Sequence, residues 1–537
     1  MTRTQNRIKT SYNYSQILKG AQSFGNKILS FPFHPFLFAL FPILFFYSIN
    51  IKEAIFSEAI PVLAISIVAT AVLFAIFSFS VKNVQKSAIL LSTIILEFFS
   101  YGHASKVIGT INFKLFIFPI GNDKILFSIC VLVLAVVIYF LFAKRLSYFK
   151  ATRVLNIISI ILVSISLFNI ISYHLSQRDF NLPIQKTKIL GQSTVSNNKP
   201  DIYYIILDRY AGEKTLKSYN YDNSDFTNYL TSKGFFVTEE STSNYPRTSL
   251  SLASSLNMDF VQNLIGGRNR DASGENLMYP LLQDNTVEKF LKSQGYKYFH
   301  FGSWWEPTKV NKNADKNFYL EATSFIKPGE FTSKFLSTTM AEPIIELVSP
   351  KTILDEPMNH RNRIYLQFEK LPTVVSEKGP KFVFAHILIP HPPYVFGKKC
   401  EEKTQEQAKK ETEMENYKEQ LSCANIKVKK LVYEILKKSK NPPVIILQAD
   451  EGPYPIKNGG KTAASNEWLK EKFPILNAYY LAGKKVDIPN DITPVNSFRL
   501  VFNVFFDTNL KFFPNKNYMY ESLNHLYRLT EVTDKLK

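Results

Sequence analysis

Two acidic positions and one hydroxyl residue stand where the chain changes from one predicted element to the next. Asp208 directly follows the apolar run DIYYIIL, and Asp450 with Glu451 follows VIILQA. Thr248 opens a predicted helix, TSLSLASSLN, directly after Arg247. Oxygen donors of this kind can hold a divalent cation, which lowers the pKa of a hydroxyl and neutralises an attacked phosphate or sulfate. Taken singly, each has an ordinary explanation as a loop or helix cap.

The elements that must position these residues predict a C-terminal α/β domain with a mainly parallel sheet flanked by helices. Short apolar runs of the kind found in strands buried on both faces recur along the chain. They are Asp201 to Leu207, Tyr296 to Phe301, Phe382 to Ile389, Val444 to Leu447 and Ile475 to Leu481. Helical patterns lie between them, near 224–233, 248–257, 286–294, 411–439 and 496–506. In an open sheet of this class, ligands bind at the carboxyl ends of the strands, which is where the polar groups are predicted.

The first third of the chain predicts an all-α transmembrane bundle of about five helices. Apolar runs long enough to cross a bilayer cover residues 31–49, 59–80, 87–104, 125–143 and 154–173, and Glu97 and His103 interrupt the third. Lysine and arginine are concentrated in the N-terminal tail and in the second and fourth loops, which the positive-inside rule assigns to the cytoplasm. We therefore expect a cytoplasmic tail (1–30), a transmembrane domain (31–173), a juxtamembrane linker (174–199) and an extracytoplasmic domain (200–537).

The net charge of +19 does not indicate nucleic-acid binding. More than half of this excess lies in the first 180 residues, where it serves as an orientation signal for the membrane helices. Of the three cysteines, Cys130 lies within a predicted span. Cys400 and Cys423 flank a charged segment of the outer domain, where a disulfide could persist, and the sequence leaves open whether they are bonded.

The order of motifs from about residue 199 to 507 resembles the alkaline phosphatase/sulfatase superfamily. The motifs are KPDIYYIILDRY, TSLSLASSLN, FHFGSWW, HILIPHPPY, VIILQADEGP and ITPVNSFR. The layout is most similar to the membrane-anchored branch that includes lipoteichoic acid synthases and phosphoethanolamine transferases. The resemblance implies that Asp208 and Asp450 are metal ligands, that Thr248 is the nucleophile and also touches the metal, and that His391 contacts the phosphoryl oxygen or protonates the leaving group.

Further residues are candidates for substrate binding, namely Arg247, His300 and Trp304, with core packing as the alternative for the tryptophan. The chain departs from the family where Asp450-Glu451-Gly452 replaces the usual Asp-His-Gly. Glutamate as a ligand would make an all-oxygen site for one divalent ion, with manganese favoured over magnesium, calcium or zinc. The same change could instead mean lost or altered activity. No Cys/Ser-x-Pro-x-Arg motif is present for a formylglycine, so sulfate ester hydrolysis by that route is not expected.

The sequence thus predicts a membrane-anchored, metal-dependent phosphotransferase or phosphodiesterase that acts on an envelope lipid or glycan through a threonine nucleophile. Its expected partners are membrane lipids and a lipid-linked or glycan phospho-substrate, and no nucleic acid. The expected location is a bacterial-type cytoplasmic membrane, with the C-terminal domain outside. The alternative is a catalytically inactive sulfatase-like protein that binds an envelope polymer or partner. A third possibility is a membrane transport component. It has the least support, because only Glu97 and His103 offer charged groups within the predicted spans.

Overall fold

The computed structural model describes residues 29–51, 56–109, 114–115, 118–119, 122–143, 147–178, 199–266, 270–272, 274–275, 277–320, 330–348, 356–461, 463 and 465–537. Most of the predicted tail and most of the predicted linker lie outside these residues. The chain divides into two compact units. The helical unit contains residues 1–178 and 322–354, and the α/β unit contains residues 179–321 and 355–537.

The helical unit contains the five apolar helices that the sequence predicts. They are α1 (His34–Ile49), α2 (Phe56–Val81), α3 (Val84–Gly109), α4 (Asn122–Phe142) and α5 (Tyr148–Arg178). A two-stranded ladder, β1 (Lys114–Leu115) with β2 (Phe118–Pro119), lies between α3 and α4. Within the described residues, four of the helices, α2 to α5, are long and apolar enough to cross a membrane. Helix α1 has only 16 residues and is too short to meet the same criterion, although the sequence predicts a span there.

A segment from the C-terminal half of the sequence also belongs to the helical unit. Residues 322–354 fall in the range predicted for the outer domain, yet they cluster with the apolar helices. Phe335 packs its ring 5.5 Å from that of Phe46 and 5.7 Å from that of Phe99. The backbone N–H of Gly102 donates to the carbonyl of Thr338 over 3.1 Å. Aromatic packing and main-chain bonding therefore attach this insertion to α1 and α3.

The α/β unit is built on one seven-stranded sheet. Its strands are β3 (Ile202–Leu207), β4 (Phe236–Val237), β5 (Lys297–Phe301), β6 (Lys316–Phe318), β7 (Lys381–Ile387), β8 (Val444–Gln448) and β9 (Asn477–Leu481), in the order β4-β9-β8-β3-β7-β5-β6. The five strands from β8 to β6 are parallel, and β9 and β4 join antiparallel at one edge. A separate hairpin joins β10 (Tyr518–Ser522) and β11 (His525–Glu531). The sequence did not predict β4, β6 or this hairpin.

Helices cover both faces of the sheet, which confirms the predicted fold class. The α-helices described after α5 are α6 (Glu213–Ser218), α7 (Ser224–Ser232), α8 (Thr248–Asn257), α9 (Val261–Ile265), α10 (Met278–Gln283), α11 (Thr286–Ser293), α12 (Glu306–Lys309), α13 (Glu330–Leu336), α14 (Ala341–Val348), α15 (Glu356–Lys370), α16 (Gln405–Lys409), α17 (Glu413–Lys438), α18 (Asn466–Lys472), α19 (Ser497–Phe506) and α20 (Thr533–Leu536). Of these, α13 and α14 belong to the helical unit and not to the layers on the sheet. Alternate residues of β3 enter two different cores, Tyr204 on one face and Tyr203 on the other. Because both faces are buried, the strand reads as a continuous apolar run. Cys400 and Cys423 form a disulfide between the loop after β7 and α17.

Candidate metal centre and active site

Three neighbouring parallel strands bring two carboxylates and one imidazole together. Asp208 follows the last residue of β3, Asp450 lies two residues after the end of β8, and His386 is the penultimate residue of β7. Because β3 pairs with both β7 and β8, these strand ends lie side by side. One ligand atom from each of the three side chains lies within 4.8 Å of the others. All three side chains are buried, and His386 Nε2 donates to Asp208 Oδ2 over 3.1 Å.

The electrostatics of this triad fit a bound cation. Asp208 Oδ1 and Asp450 Oδ2 are buried, and neither accepts a hydrogen bond from the residues that the structure describes. Burial raises the pKa of Asp450, and the neighbouring carboxylates of Asp208 and Glu451 raise it further. Burial also opposes the charge on Asp208, but His391, His386 and Arg209 outweigh it and lower the pKa of Asp208 below its ordinary value. Two adjacent buried carboxylates, each with a free oxygen, are the donors that a divalent ion requires.

A second layer of side chains orients His386. Its Nδ1 lies 2.8 Å from the hydroxyl of Thr308, which can either donate to that nitrogen or accept from it. The carbonyl of Thr308 accepts from His300 Nε2 over 2.7 Å, and His300 Nδ1 lies 2.9 Å from the hydroxyl of Tyr298. His300, predicted to bind substrate, therefore has both ring nitrogens engaged in the core, and burial lowers its pKa to about 4. Its position supports the imidazole of the triad, an arrangement that fixes metal-binding histidines generally.

Thr248 stands at the triad as the first residue of α8. Its side chain lies close enough to the Asp450 carboxylate to favour the charged form and so to oppose the rise in the pKa of Asp450. One turn further along the helix, Ser251 donates its hydroxyl to the backbone carbonyl of Asp450, which ties the start of α8 to the end of β8. Arg247 occupies the N-cap position with the extended backbone angles usual there, but its guanidinium has no acceptor and makes no capping hydrogen bond. The start of α8 thus carries a half-buried hydroxyl beside a carboxylate and near unpaired helix N–H groups.

Glu451 lies outside the triad and pairs with cations instead. Its Oε1 lies 3.0 Å from Lys472 Nζ and 3.5 Å from Arg209 Nε. Both the Glu451 and the Lys472 side chains are almost completely buried, at 5% and 4% exposure. The backbone N–H of Arg209, a residue with φ of 63°, donates to Asp450 Oδ1 over 3.3 Å. The predicted ligand set of Asp208, Thr248, Asp450 and Glu451 is therefore only partly assembled around one point.

The remaining candidates lie around this centre in different settings. His391 is half-buried, and its Nδ1 donates to the carbonyl of Pro392. Trp304 packs its ring edge-on to His391 with centroids 6.4 Å apart. Arg247 forms an ion pair with Glu275. Trp304 thus contacts a candidate catalytic residue, whereas Arg247 has an acidic partner within the protein.

Sequence reasoning missed His386 and Lys472. His386 is the only polar residue in the run FVFAHILI, and a buried histidine in such a strand needs hydrogen-bond partners. This requirement, and the position of His386 near the carboxyl end of a predicted strand, could have identified it as a candidate site residue. Lys472 has no comparable signal, because it is one of several lysines in the charged stretch NEWLKEK.

Comparison with known proteins gives one family match. The sulfatase family model matches residues 200–486, and no match is found among curated proteins. Among solved structures, the chain is similar to a lipooligosaccharide phosphoethanolamine transferase A from Neisseria meningitidis at 10% identity and a TM-score of 0.41, over 92% of this chain and 98% of that one. It is also similar to the periplasmic domain of EptC from Escherichia coli in complex with Zn, at 13% identity and a TM-score of 0.39, over 61% of this chain and 91% of that one.

The periplasmic domain of a phosphoethanolamine transferase from Campylobacter jejuni is similar at 12% identity and a TM-score of 0.36, over 58% of this chain and 92% of that one. The family model spans more than half of the chain and includes Asp208, Thr248, His386 and Asp450. The chain therefore belongs to the sulfatase family, as a member that carries membrane-spanning helices ahead of its α/β unit.

Proposed function

We propose that this protein is a membrane-anchored, metal-dependent phosphotransferase or phosphodiesterase acting on an envelope lipid or glycan, with Thr248 as its nucleophile. The observation that carries the proposal is the cluster of three buried side chains arranged to hold a cation, with Thr248 beside one of them, Asp450. A threonine at the N-cap position would have a simpler use as a cap, but the N-cap position of α8 is Arg247, and Thr248 is its first helical residue.

The chain's own residues account for most of the chemistry. Asp208, His386 and Asp450 would hold the divalent ion, which when bound lowers the pKa of a nearby hydroxyl and neutralises phosphoryl charge. Thr248 Oγ1 would attack the phosphorus of the substrate, and the bond from phosphorus to the substrate's alcohol oxygen would break. The proton of the Thr248 hydroxyl would pass to that oxygen, so the alcohol would leave and the phosphoryl group would remain on Thr248. An acceptor hydroxyl or water would then displace Thr248. The helix N–H groups at the start of α8 stabilise the developing negative charge.

His391 is suited to proton transfer in the second step. Its Nδ1–H donates to the Pro392 carbonyl, so the neutral ring has a free lone pair on Nε2. Burial lowers the pKa of His391 to about 4, which keeps the ring neutral at pH 7. A neutral imidazole with an open nitrogen accepts a proton, so we assign His391 as the base that activates the acceptor hydroxyl.

The chemical types of the three side chains in the triad indicate which metal ion they would bind. Two carboxylates and one imidazole differ from the all-oxygen set that the sequence suggested, because His386 supplies a nitrogen and Glu451 is paired with Lys472. Calcium and magnesium prefer oxygen-only sites, whereas imidazole suits zinc and other transition metals. We therefore propose manganese or zinc.

The location of the α/β unit also belongs to this proposal. If α1 is counted with α2 to α5, the chain has five spans, and this odd number together with the lysine and arginine bias assigns the unit to the outside of a bacterial-type cytoplasmic membrane. The Cys400–Cys423 disulfide supports this assignment because disulfides persist in oxidising compartments.

Turnover by the purified full-length chain in detergent tests the proposal. We expect hydrolysis of bis-p-nitrophenyl phosphate or release of a phospholipid head group in the presence of Mn²⁺ or Zn²⁺, and loss of activity in EDTA. Thr248→Ala should reduce the rate by about 10³-fold or more, since no other group replaces the nucleophile. Thr231→Ala, at an exposed threonine of α7, is the matched control. Full activity of Thr248→Ala would contradict the proposal.

A non-catalytic binding protein is the second candidate. The observation in its favour is Glu451, which stands where the family usually has histidine and pairs with Lys472. This candidate predicts that the chain binds an envelope polymer without turnover. Activity that depends on Thr248 would exclude it.

A further inference from the structure

The buried pair of Glu451 and Lys472 is an unusual feature of this site. Lys472 Nζ lies 3.0 Å from Glu451 Oε1 and donates to the Gly452 carbonyl over 2.8 Å. Two ionic groups this deeply buried lose hydration at a cost of several kcal/mol each, and removing only one of them leaves the other uncompensated. The pair lies immediately beside Asp450, so its charge state bears on the metal centre.

The backbone holds Lys472 in this position. Lys472 is the last residue of α18, whose first turn is capped by the Ser465 side chain. The N–H of Gly452 donates to the Lys472 carbonyl over 3.0 Å, in return for the bond from Nζ. A Cβ at Gly452 would lie 2.2 Å from the Lys472 carbonyl oxygen, so only glycine permits this approach. The loop after β8 and the end of α18 are thus joined by two reciprocal hydrogen bonds.

The charges around the centre balance if each cation has a defined partner. Three buried carboxylates, Asp208, Asp450 and Glu451, face the cations Lys472 and Arg209. Arg247 also attracts Glu451, but its own ion-pair partner is Glu275. A divalent ion would neutralise the two aspartates, and Lys472 neutralises Glu451. Arg209, with 27% of its side chain exposed, then remains as the positive charge available to an anionic substrate. If Glu451 joined the metal instead, the ammonium of Lys472 would lose its anionic partner in the interior.

We propose that Lys472 is a positioning residue that holds Glu451 out of the metal's coordination shell, so that the ion is held by Asp208, His386 and Asp450. The inference rests on the proposed metal-dependent function. It assigns to Glu451 the role of an acceptor for an internal cation, and to His386 the role of the nitrogen ligand. The pattern Asp-Glu-Gly would then mean that His386 supplies the nitrogen ligand of the metal, and not that the metal site is lost.

Metal titration separates this arrangement from direct ligation by Glu451. The full-length chain is stripped with EDTA, transferred to chelator-free detergent buffer and titrated calorimetrically with MnCl₂ and ZnCl₂. We expect one ion per chain. Glu451→Gln alone leaves the Lys472 ammonium uncompensated beside the ion, so ligation by Glu451 is tested in the double variant, which carries neither charge. Lys472→Met should tighten binding about tenfold or more, since the released carboxylate adds an anionic ligand. The double variant Lys472→Met/Glu451→Gln should return to the wild-type Kd.

Lys470→Met is the matched control, because Lys470 is exposed on the same helix. If the wild type binds metal, a Kd weakened about tenfold or more in the double variant overturns this inference alone. Unchanged or weaker binding in a folded Lys472→Met variant also overturns it. If Lys472→Met does not fold, the double variant decides, because neither buried charge of the pair is left in it. Absence of any metal binding by the wild type overturns the proposed metal-dependent function and this inference with it.

Discussion

Replacing Asp450 with asparagine should stabilise the protein when divalent ions are removed and leave it less stable than the wild type when they are present. The Asp450 carboxylate is 1% exposed, and its Oδ2 accepts no hydrogen bond among the described residues. Asparagine keeps an oxygen for the Arg209 N–H, which lies 3.3 Å from Asp450 Oδ1. It also places an amide donor where the unpaired oxygen lies, close to Asp208.

The gain in the free energy of unfolding that we expect for Asp450→Asn in EDTA has two sources. Charges on Asp208 and Asp450 whose oxygens lie within 4.8 Å repel by about 3 kcal/mol at an effective dielectric constant of 20. An unsatisfied buried acceptor costs about 1–3 kcal/mol. Arg209 and the Thr248 hydroxyl offset part of both terms, so we expect Asp450→Asn to gain about 1–3 kcal/mol in EDTA. At about 2 °C per kcal/mol for a unit of this size, the Tm rises by about 2–6 °C.

Adding a divalent ion should make the wild type more stable than Asp450→Asn. At a free concentration of 1,000 times its Kd, the ion stabilises the wild type by about 4 kcal/mol, which exceeds the gain from asparagine. The variant lacks a ligand and should gain little. The assay is thermal unfolding of the full-length chain in detergent, in EDTA and in MnCl₂, with the exposed Asp487→Asn as control. If Asp450→Asn were equally destabilised in both conditions, the electrostatic reading of the triad would be refuted.

Two further predictions concern the α/β unit. Burial raises the pKa of Glu288 from 4.5 to about 7. The free energy of unfolding therefore falls by up to about 3 kcal/mol as the pH rises from 4.5 to 7. Glu288→Gln should raise the Tm above pH 7 but not below pH 4.5. An unchanged Tm difference between pH 4.5 and pH 8 would contradict this. If the unit lies outside the cytoplasm, a C-terminal alkaline phosphatase fusion should be active in whole cells and Cys400 and Cys423 should resist maleimide until reduced. An inactive fusion with freely labelled thiols would place the unit in the cytoplasm.

The sequence by itself determined the elements and their class, because these depend on local patterns. Continuous apolar runs marked the buried strands, and the helix that begins at Thr248 was predicted with the bounds Thr248–Asn257 that the structure shows. The positions of Asp208 and Asp450 at strand ends follow from the same runs. The short strand β4 was missed because two residues carry no usable period, and its pairing with β9 is a tertiary event.

Only the tertiary structure decided which polar side chains meet. Strand order placed β7 next to β3, and this brought His386 to Asp208, whereas His391, five residues later, bonds the carbonyl of Pro392. The ion-pair partner of Glu451 could not be predicted from the sequence either, because Lys472 lies at the end of a helix 21 residues further along the chain. Local patterns report burial and periodicity, but the charge balance of a buried site depends on contacts between residues far apart in sequence.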